Sequence, residues 1–198
     1  GLGDTVGSAL SSHRDVQMIS FTGSTRAGAA VTQDAAETVK RVTLELGGKS
    51  PNLVFADCDL TERVTASVGE CMFTAGQSCD APTRLLVERA CYDEVLKIAK
   101  QAAEATAVGD PAKAGDHIGP LFDRLQYERV QAMIHKGIAE GATLLAGGLG
   151  KPEGCEIGWY VKPTIFADVS NDMAIAQEEI FGPVLVIIPF ENEDEAIA

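Results

Sequence analysis

Two residues in this sequence combine a reactive side chain with a setting that suits covalent or proton-transfer chemistry, Cys79 and Glu45. Cysteines stand at 58, 71, 79, 91 and 155, and an odd number without CxxC spacing points to reduced thiols in a cytoplasmic setting. Four of them read as small hydrophobes, with Cys58, Cys71 and Cys91 in or beside apolar patterns. Cys79 follows Gly76-Gln77-Ser78, a turn of small and polar residues between a helix end and a strand, where a thiol is open to activation. Glu45 lies in Val42-Thr43-Leu44-Glu45-Leu46, flanked by leucines and followed by two glycines. Burial there would suit it to proton transfer, whereas strand alternation would turn it to solvent.

A third feature is a candidate anion site. Gly23-x-x-x-x-Gly28 follows a strand and opens a helix, so backbone N–H groups and the positive helix end would face a phosphate, with Ser24 and Thr25 adding hydroxyls. Glycines at such a turn also occur for steric reasons alone. Gly48-Lys49-Ser50 does not make a P-loop, because Thr43 stands where that motif needs glycine and Pro51 disfavours a helix starting at Ser50. The segment Asp57-Cys58-Asp59-Leu60-Thr61 resembles the nucleophile loop of haloacid-dehalogenase-like phosphatases, which use magnesium. No later strand ends in the paired aspartates such a site needs, and Asp59 reads better as a helix cap. His13, His117 and His135 lack ligand spacing, so no metal site is implied.

The elements that must position these residues alternate along the chain. Strands are expected at Val16–Phe21, Arg41–Leu46, Leu53–Ala56, Arg84–Val87, Thr143–Leu145, Tyr160–Ile165 and Val184–Phe190. Helices are expected from the Gly23–Gly28 turn towards Val39, from Asp59 to Gly76, over Tyr92–Ala107 and over Asp123–Ala139. Asp59 and Glu62 form an acidic capping box, and Leu60, Val64, Val68 and Met72 make one buried stripe. In the last helix Leu125, Val130, Met133, Ile134 and Ile138 are expected inward. The alternation predicts an α/β fold with a largely parallel sheet.

Composition narrows the partners. The 198 residues hold 16 basic and 29 acidic side chains, a formal charge of −13, which argues against nucleic acid. No run of eighteen apolar residues appears, so no membrane span is expected, and no export leader is visible.

Taken in order, FTGSTRAG (21–28), LELGGKSP (44–51), GQSC (76–79) and EEIFGPV (178–184) resemble the aldehyde dehydrogenase superfamily. GDP at 109–111, GP at 119–120 and KPTIF at 162–166 extend the likeness over nearly the whole chain. The resemblance implies a three-layer, parallel-sheet catalytic domain over 47–198, preceded by part of a Rossmann-like cofactor domain over 1–46. It implies NAD(P)-dependent oxidation of a small-molecule aldehyde to its acid, with NAD or NADP as cofactor and a dimeric or tetrameric homo-oligomer as the intact enzyme. Cys79 becomes the nucleophile, giving a thiohemiacetal and then a thioester, and Glu45 the base that activates water to hydrolyse it. The Cys79 N–H becomes an oxyanion donor. Gly23, Ser24, Thr25 and Gly28 approach the pyrophosphate, and Leu46 positions the nicotinamide. Glu179 holds its ribose, and Phe181 packs on its ring. Asp80 is an unusual neighbour for the nucleophile and is expected to face away without a role. Because complete members are more than twice this length, the resemblance also implies a central slice with Gly1 as a cut end. The 198 residues alone would then be a non-catalytic fragment with residual nucleotide or partner binding.

Overall fold

The run Arg-Val-Thr-Leu-Glu-Leu favours extended backbone through its β-branched and leucine side chains, and Arg41–Leu46 is a strand in the computed structural model, which describes all 198 residues. The chain divides into two compact units, Gly1–Gly48 and Lys49–Ala198. No helix is long and apolar enough to cross a membrane.

In the first unit a π-helical turn, Gly3–Gly7, leads into α1 (Ser8–Ser12), then β1 (Met18–Gly23), α2 (Thr25–Ala36) and β2 (Arg41–Leu46). β1 begins later than the sequence suggests because Val16 N–H bonds to His13 O in a turn (3.1 Å). The helix stops at Ala36, before Val39, which is left-handed at φ +53°. β1 and β2 run parallel, with Thr22 opposite Glu45 and Gly23 opposite Leu46. Gly28 lets α2 lie close to β2, since a Cβ there would come 2.8 Å from Leu46 Cδ2.

The second unit is a three-layer α/β/α sandwich. Its elements are β3 (Pro51–Val54), α3 (Leu60–Met72), β4 (Arg84–Glu88), α4 (Tyr92–Ala105), α5 (Arg124–Ala139), β5 (Thr143–Ala146), β6 (Thr164–Ala167), α6 (Ala174–Gln177), β7 (Val184–Phe190) and α7 (Glu193–Ile197). The sheet order is β3-β4-β7-β6-β5, parallel except for β5. Strand alternation feeds two cores. Leu185 and Ile187 of β7 meet α3 and α4 through Val64, Val68, Val95 and Ala99. Val184 and Val186 meet α5 and α6 through Val130, Ile134 and Ile175 on the other face.

The helix signals hold with specific departures. Asp59 caps α3 by accepting from Glu62 N–H (3.0 Å), but Glu62 turns its carboxylate to Arg63 (3.4 Å) rather than completing the box. Asp123 caps α5 by accepting from Gln126 N–H (2.7 Å). Leu125 and Ile138 point outward, at 73% and 41% exposure, because the buried face of α5 runs through Gln126, Val130, Met133, Ile134 and Gly137. Positions 125 and 138 each neighbour that face in sequence, about 100° around the helix from it. The strand expected from Tyr160 starts only at Thr164, directly after Pro163.

Candidate active site

In the first unit the motif residues collect at the C-terminal ends of two parallel strands, where open α/β sheets ordinarily bind ligands. Gly23 ends β1 and Leu46 ends β2 beside it. Ser24 is the N-cap of the twelve-residue α2, its Oγ accepting from Ala27 N–H (3.3 Å), and Gly28 N–H bonds to Ser24 O (2.9 Å). The amides of Thr25 and Arg26 remain, as first-turn donors without intrahelical partners. Gly23, Ser24 and Thr25 are exposed, so this helix end is open to an anion. Glu45 is exposed too, on the outward set of a strand whose Val42, Leu44 and Leu46 are half-buried. The burial suggested by its leucine neighbours does not occur in this chain.

In the second unit the motifs gather at the N-terminal ends of β3, β4 and β7. Gly76–Cys79 precedes β4, and Glu178–Pro183 precedes β7. α3 ends at Met72 rather than at Gly76, and Thr74, Ala75 and Gly76 all adopt left-handed φ, at +52°, +55° and +69°. For the two residues bearing a Cβ this costs ~1–2 kcal/mol each. The strain is held by burial of Ala75 and by Gln77. Gln77 Nε2 donates to Thr74 O (3.1 Å) and Pro120 O (3.5 Å), while Gln77 Oε1 accepts from Phe122 N–H (3.0 Å). Cys79 is the one exposed cysteine, and its backbone N–H makes no hydrogen bond within the chain. Phe73 and Phe122, each 71% exposed, leave apolar surface on the segments that Gln77 joins.

The turn that carries Cys79 rests on the second motif loop. A Cβ on Gly76 would lie 2.1 Å from Gly182 O and 2.3 Å from Gly182 C, so only glycine allows this contact. Next to Gly182, Phe181 is left-handed at φ +56°. Three residues of α5 grip this loop. Gln126 Nε2 donates to Ile180 O (2.9 Å) and Phe181 O (2.8 Å), Arg129 Nη2 to Glu179 O (2.7 Å), and Lys136 Nζ to Glu178 (3.1 Å). Gln126 was invisible to hydrophobic patterning because the buried face of α5 contains a polar residue. Its replacement by leucine leaves two carbonyls without their donor and frees the strained Phe181. Urea unfolding should show a loss of about 2 kcal/mol, and a loss below about 0.5 kcal/mol would remove this bracing role.

Two buried polar atoms here lack partners, Lys49 Nζ and Glu179 Oε1. Burial lowers the Lys49 ammonium to about 8, opposed by attraction to Cys71 and Glu179 and reinforced by Arg84. The Lys49 carbonyl accepts from Arg84 Nε (2.8 Å), which straps this residue to the start of β4. The Glu179 carboxylate is the neighbouring charge that attracts the Lys49 ammonium across this buried space, without a hydrogen bond between them. Asp57 is exposed and Asp59 is engaged as the cap of α3, so the D-x-D-x-T segment serves helix initiation.

The family model described as the aldehyde dehydrogenase family matches residues 1–198. A 3-succinoylsemialdehyde-pyridine dehydrogenase from a Pseudomonas species is 51% identical over 197 residues, covering 100% of this chain and 41% of that protein. The crystal structure of an aldehyde dehydrogenase from Bartonella henselae is similar at TM-score 0.98 and 54% identity, over 100% of this chain and 41% of the other. AldC from Pseudomonas syringae, solved as a cysteine-to-alanine mutant with NAD+ and octanal, gives TM-score 0.98 and 50% identity with the same coverage. This chain therefore spans about two fifths of the length of these relatives. The profile match along its whole length and the shared fold place the chain in the aldehyde dehydrogenase family.

Proposed function

We propose that the intact enzyme containing this segment oxidises an aldehyde to its carboxylic acid with NAD. The observation that carries this reading is the packing of the strained Thr74–Gly76 turn, which presents exposed Cys79, against the loop bearing Glu179 and Phe181. A thiol and the loop carrying a carboxylate are thereby held on one edge of one sheet. The NAD+ complex of the Pseudomonas syringae relative supports the choice of cofactor.

Cys79 Sγ adds to the aldehyde carbon, and the Cys79 N–H donates to the oxygen that gains negative charge. Bound NAD supplies the hydride acceptor for the second step. Glu179 would hold the nicotinamide ribose, and Phe181 would pack against the ring. Ser24, Thr25 and the α2 N-terminus would hold the pyrophosphate, with Gly23 and Gly28 allowing its approach and Leu46 positioning the nicotinamide. Glu45 takes a proton from the water that cleaves the resulting thioester, which regenerates the thiol and releases the acid. The five free thiols support a reducing, cytoplasmic setting, and the family resemblance supports a homo-oligomeric enzyme.

Glu45→Gln in the intact enzyme separates these steps. Stopped-flow traces should keep a burst of reduced cofactor near one equivalent per active site, while steady-state turnover falls by roughly 10²-fold or more. Equal loss of burst and turnover would mean that Glu45 does not act in hydrolysis.

A further inference from the structure

Lys49 carries a charge where burial disfavours one, although its main chain is fixed without the help of its side chain. The Lys49 carbonyl accepts from Arg84 Nε (2.8 Å), and the Ser50 carbonyl accepts from the Arg84 N–H (3.2 Å). Parallel pairing sets Pro51 beside Arg84 and Arg84 beside Val186, so Lys49 and the Glu178–Pro183 loop stand at the same edge of the sheet. The main chain of that loop is pinned as firmly, by Arg129 at the Glu179 carbonyl and by Gln126 at the next two. With both backbones held, the two side chains turn into one buried space, where Lys49 Nζ and Glu179 Oε1 attract each other without a hydrogen bond. Both atoms are enclosed by residues of this chain, so the pair needs no other part of the intact enzyme to form. Glu179 as a whole is only half-buried, and its second oxygen is not enclosed. The carboxylate therefore has one oxygen shut in with the ammonium and one outside that space.

We propose that Lys49 is a positioning residue for the cofactor, its buried ammonium holding the Glu179 carboxylate in the orientation that presents the outer oxygen to a hydroxyl of the nicotinamide ribose. This rests on the assignment of Glu179 to that ribose. Without the cation, nothing offsets the burial of Oε1, and the carboxylate swings towards water. The acceptor is then no longer preset for the hydroxyl, and the cofactor binds less tightly. Burial brings the ammonium down to about 8, so it is charged at neutral pH and loses its proton just above. The other groups that face it do not change charge there. Burial holds the Cys71 thiol protonated to about 12, and the guanidinium of Arg84 remains a cation.

The test titrates NAD into the intact enzyme by calorimetry, which reads binding without turnover. At about pH 7, Lys49→Met should weaken NAD binding about tenfold, the scale of one charge-assisted hydrogen bond, and Glu179→Gln should weaken it by a similar factor. Because Lys49 acts through Glu179, the double variant should bind NAD no worse than Glu179→Gln alone. Wild-type binding should weaken about fivefold from about pH 7 to about pH 9, as the ammonium is lost, while Lys49→Met and Glu179→Gln both stay flat. The Glu179→Gln profile tests the same coupling without touching Lys49, and urea unfolding of each variant separates loss of binding from loss of fold. Additive losses in the double variant would make Lys49 a structural residue independent of Glu179 and overturn the proposal. Undiminished binding in Lys49→Met, or a pH dependence that survives in either single variant, overturns it equally. Wild-type affinity in Glu179→Gln would remove Glu179 from the ribose and the positioning role with it, a result distinct from failure at Lys49 alone.

Discussion

Replacing Cys79 with alanine in the intact enzyme should lower aldehyde oxidation by roughly four orders of magnitude or more, while NAD affinity stays within a few fold. Removal of a nucleophile that forms the covalent intermediate leaves no alternative route when no other thiol can take its place. Within this chain that condition is met. Cys71, Cys91 and Cys155 are buried, Cys58 is half-buried, and Cys79 alone is exposed. Burial pushes the Cys71 thiol up to about 12, which keeps it protonated at neutral pH, and burial likewise raises Cys91. The substitution removes one sulfur from an exposed position and leaves the Gln77 clamp and the Gly76–Gly182 contact intact, so folding should not confound the result. Cofactor reduction followed by absorbance, with NAD binding measured by titration calorimetry, distinguishes loss of chemistry from loss of the site. Surviving turnover above about one per cent of wild type would remove Cys79 from the mechanism.

The second large effect concerns stability. Lys49 holds a buried ammonium that no hydrogen bond satisfies, and the shift from 10.5 to about 8 corresponds to a penalty of order 3 kcal/mol at neutral pH. Lys49→Met keeps a side chain of similar length without the charge. Part of the gain is offset because Glu179 loses an attractive neighbour, so urea unfolding of the chain at pH 7 should show stabilisation of about 2 kcal/mol. The pH dependence gives an independent check. Between about pH 8 and the unfolded value of 10.5 the native chain releases the Lys49 proton while the unfolded chain keeps it, so stability rises with pH. From pH 9 the opposite sign enters. The unfolded chain loses its Cys71 proton near 9.0, whereas the native thiol holds its own to about 12, so stability falls with pH. Tyr92, raised from 10.0 to about 12 chiefly by burial, adds to that fall at higher pH. A rise of about 1 kcal/mol confined to pH 8–9 is expected in the wild-type chain and should vanish in Lys49→Met. A destabilised Lys49→Met chain, or one that keeps the rise, would show that the ammonium is not the group responsible.

Such a costly lysine beside Glu179 illustrates what local patterning misses. Gly48-Lys49-Ser50 attracts attention in the sequence only as a failed P-loop. Its significance depends on Cys71, Arg84 and Glu179, which are distant in sequence and meet only when the second unit folds. Gln126 is similar. Helix α5 was legible from its cap and its apolar stripe, yet the inward face carried Gln126 and left Leu125 and Ile138 outside, because the carbonyls of Ile180 and Phe181 required a donor there. Glu45 shows the converse, since its leucine neighbours suggested burial and the simple alternation of β2 turned it outward.

By itself the sequence determined the elements whose signals are short-range: the Arg41–Leu46 and Val184–Phe190 strands, the Asp59 cap and the glycine turn before α2. It also determined family membership, because four motifs in order need no coordinates to be read. Only the tertiary structure decided that Thr74, Ala75 and Gly76 would bend left-handed to present Cys79, and that the loop of Glu179 and Phe181 would brace that bend. The physical reason is that such a turn is unfavourable on local grounds. It persists because Gly182, Gln77 and the buried face of α5, contributed from across the chain, hold it in place.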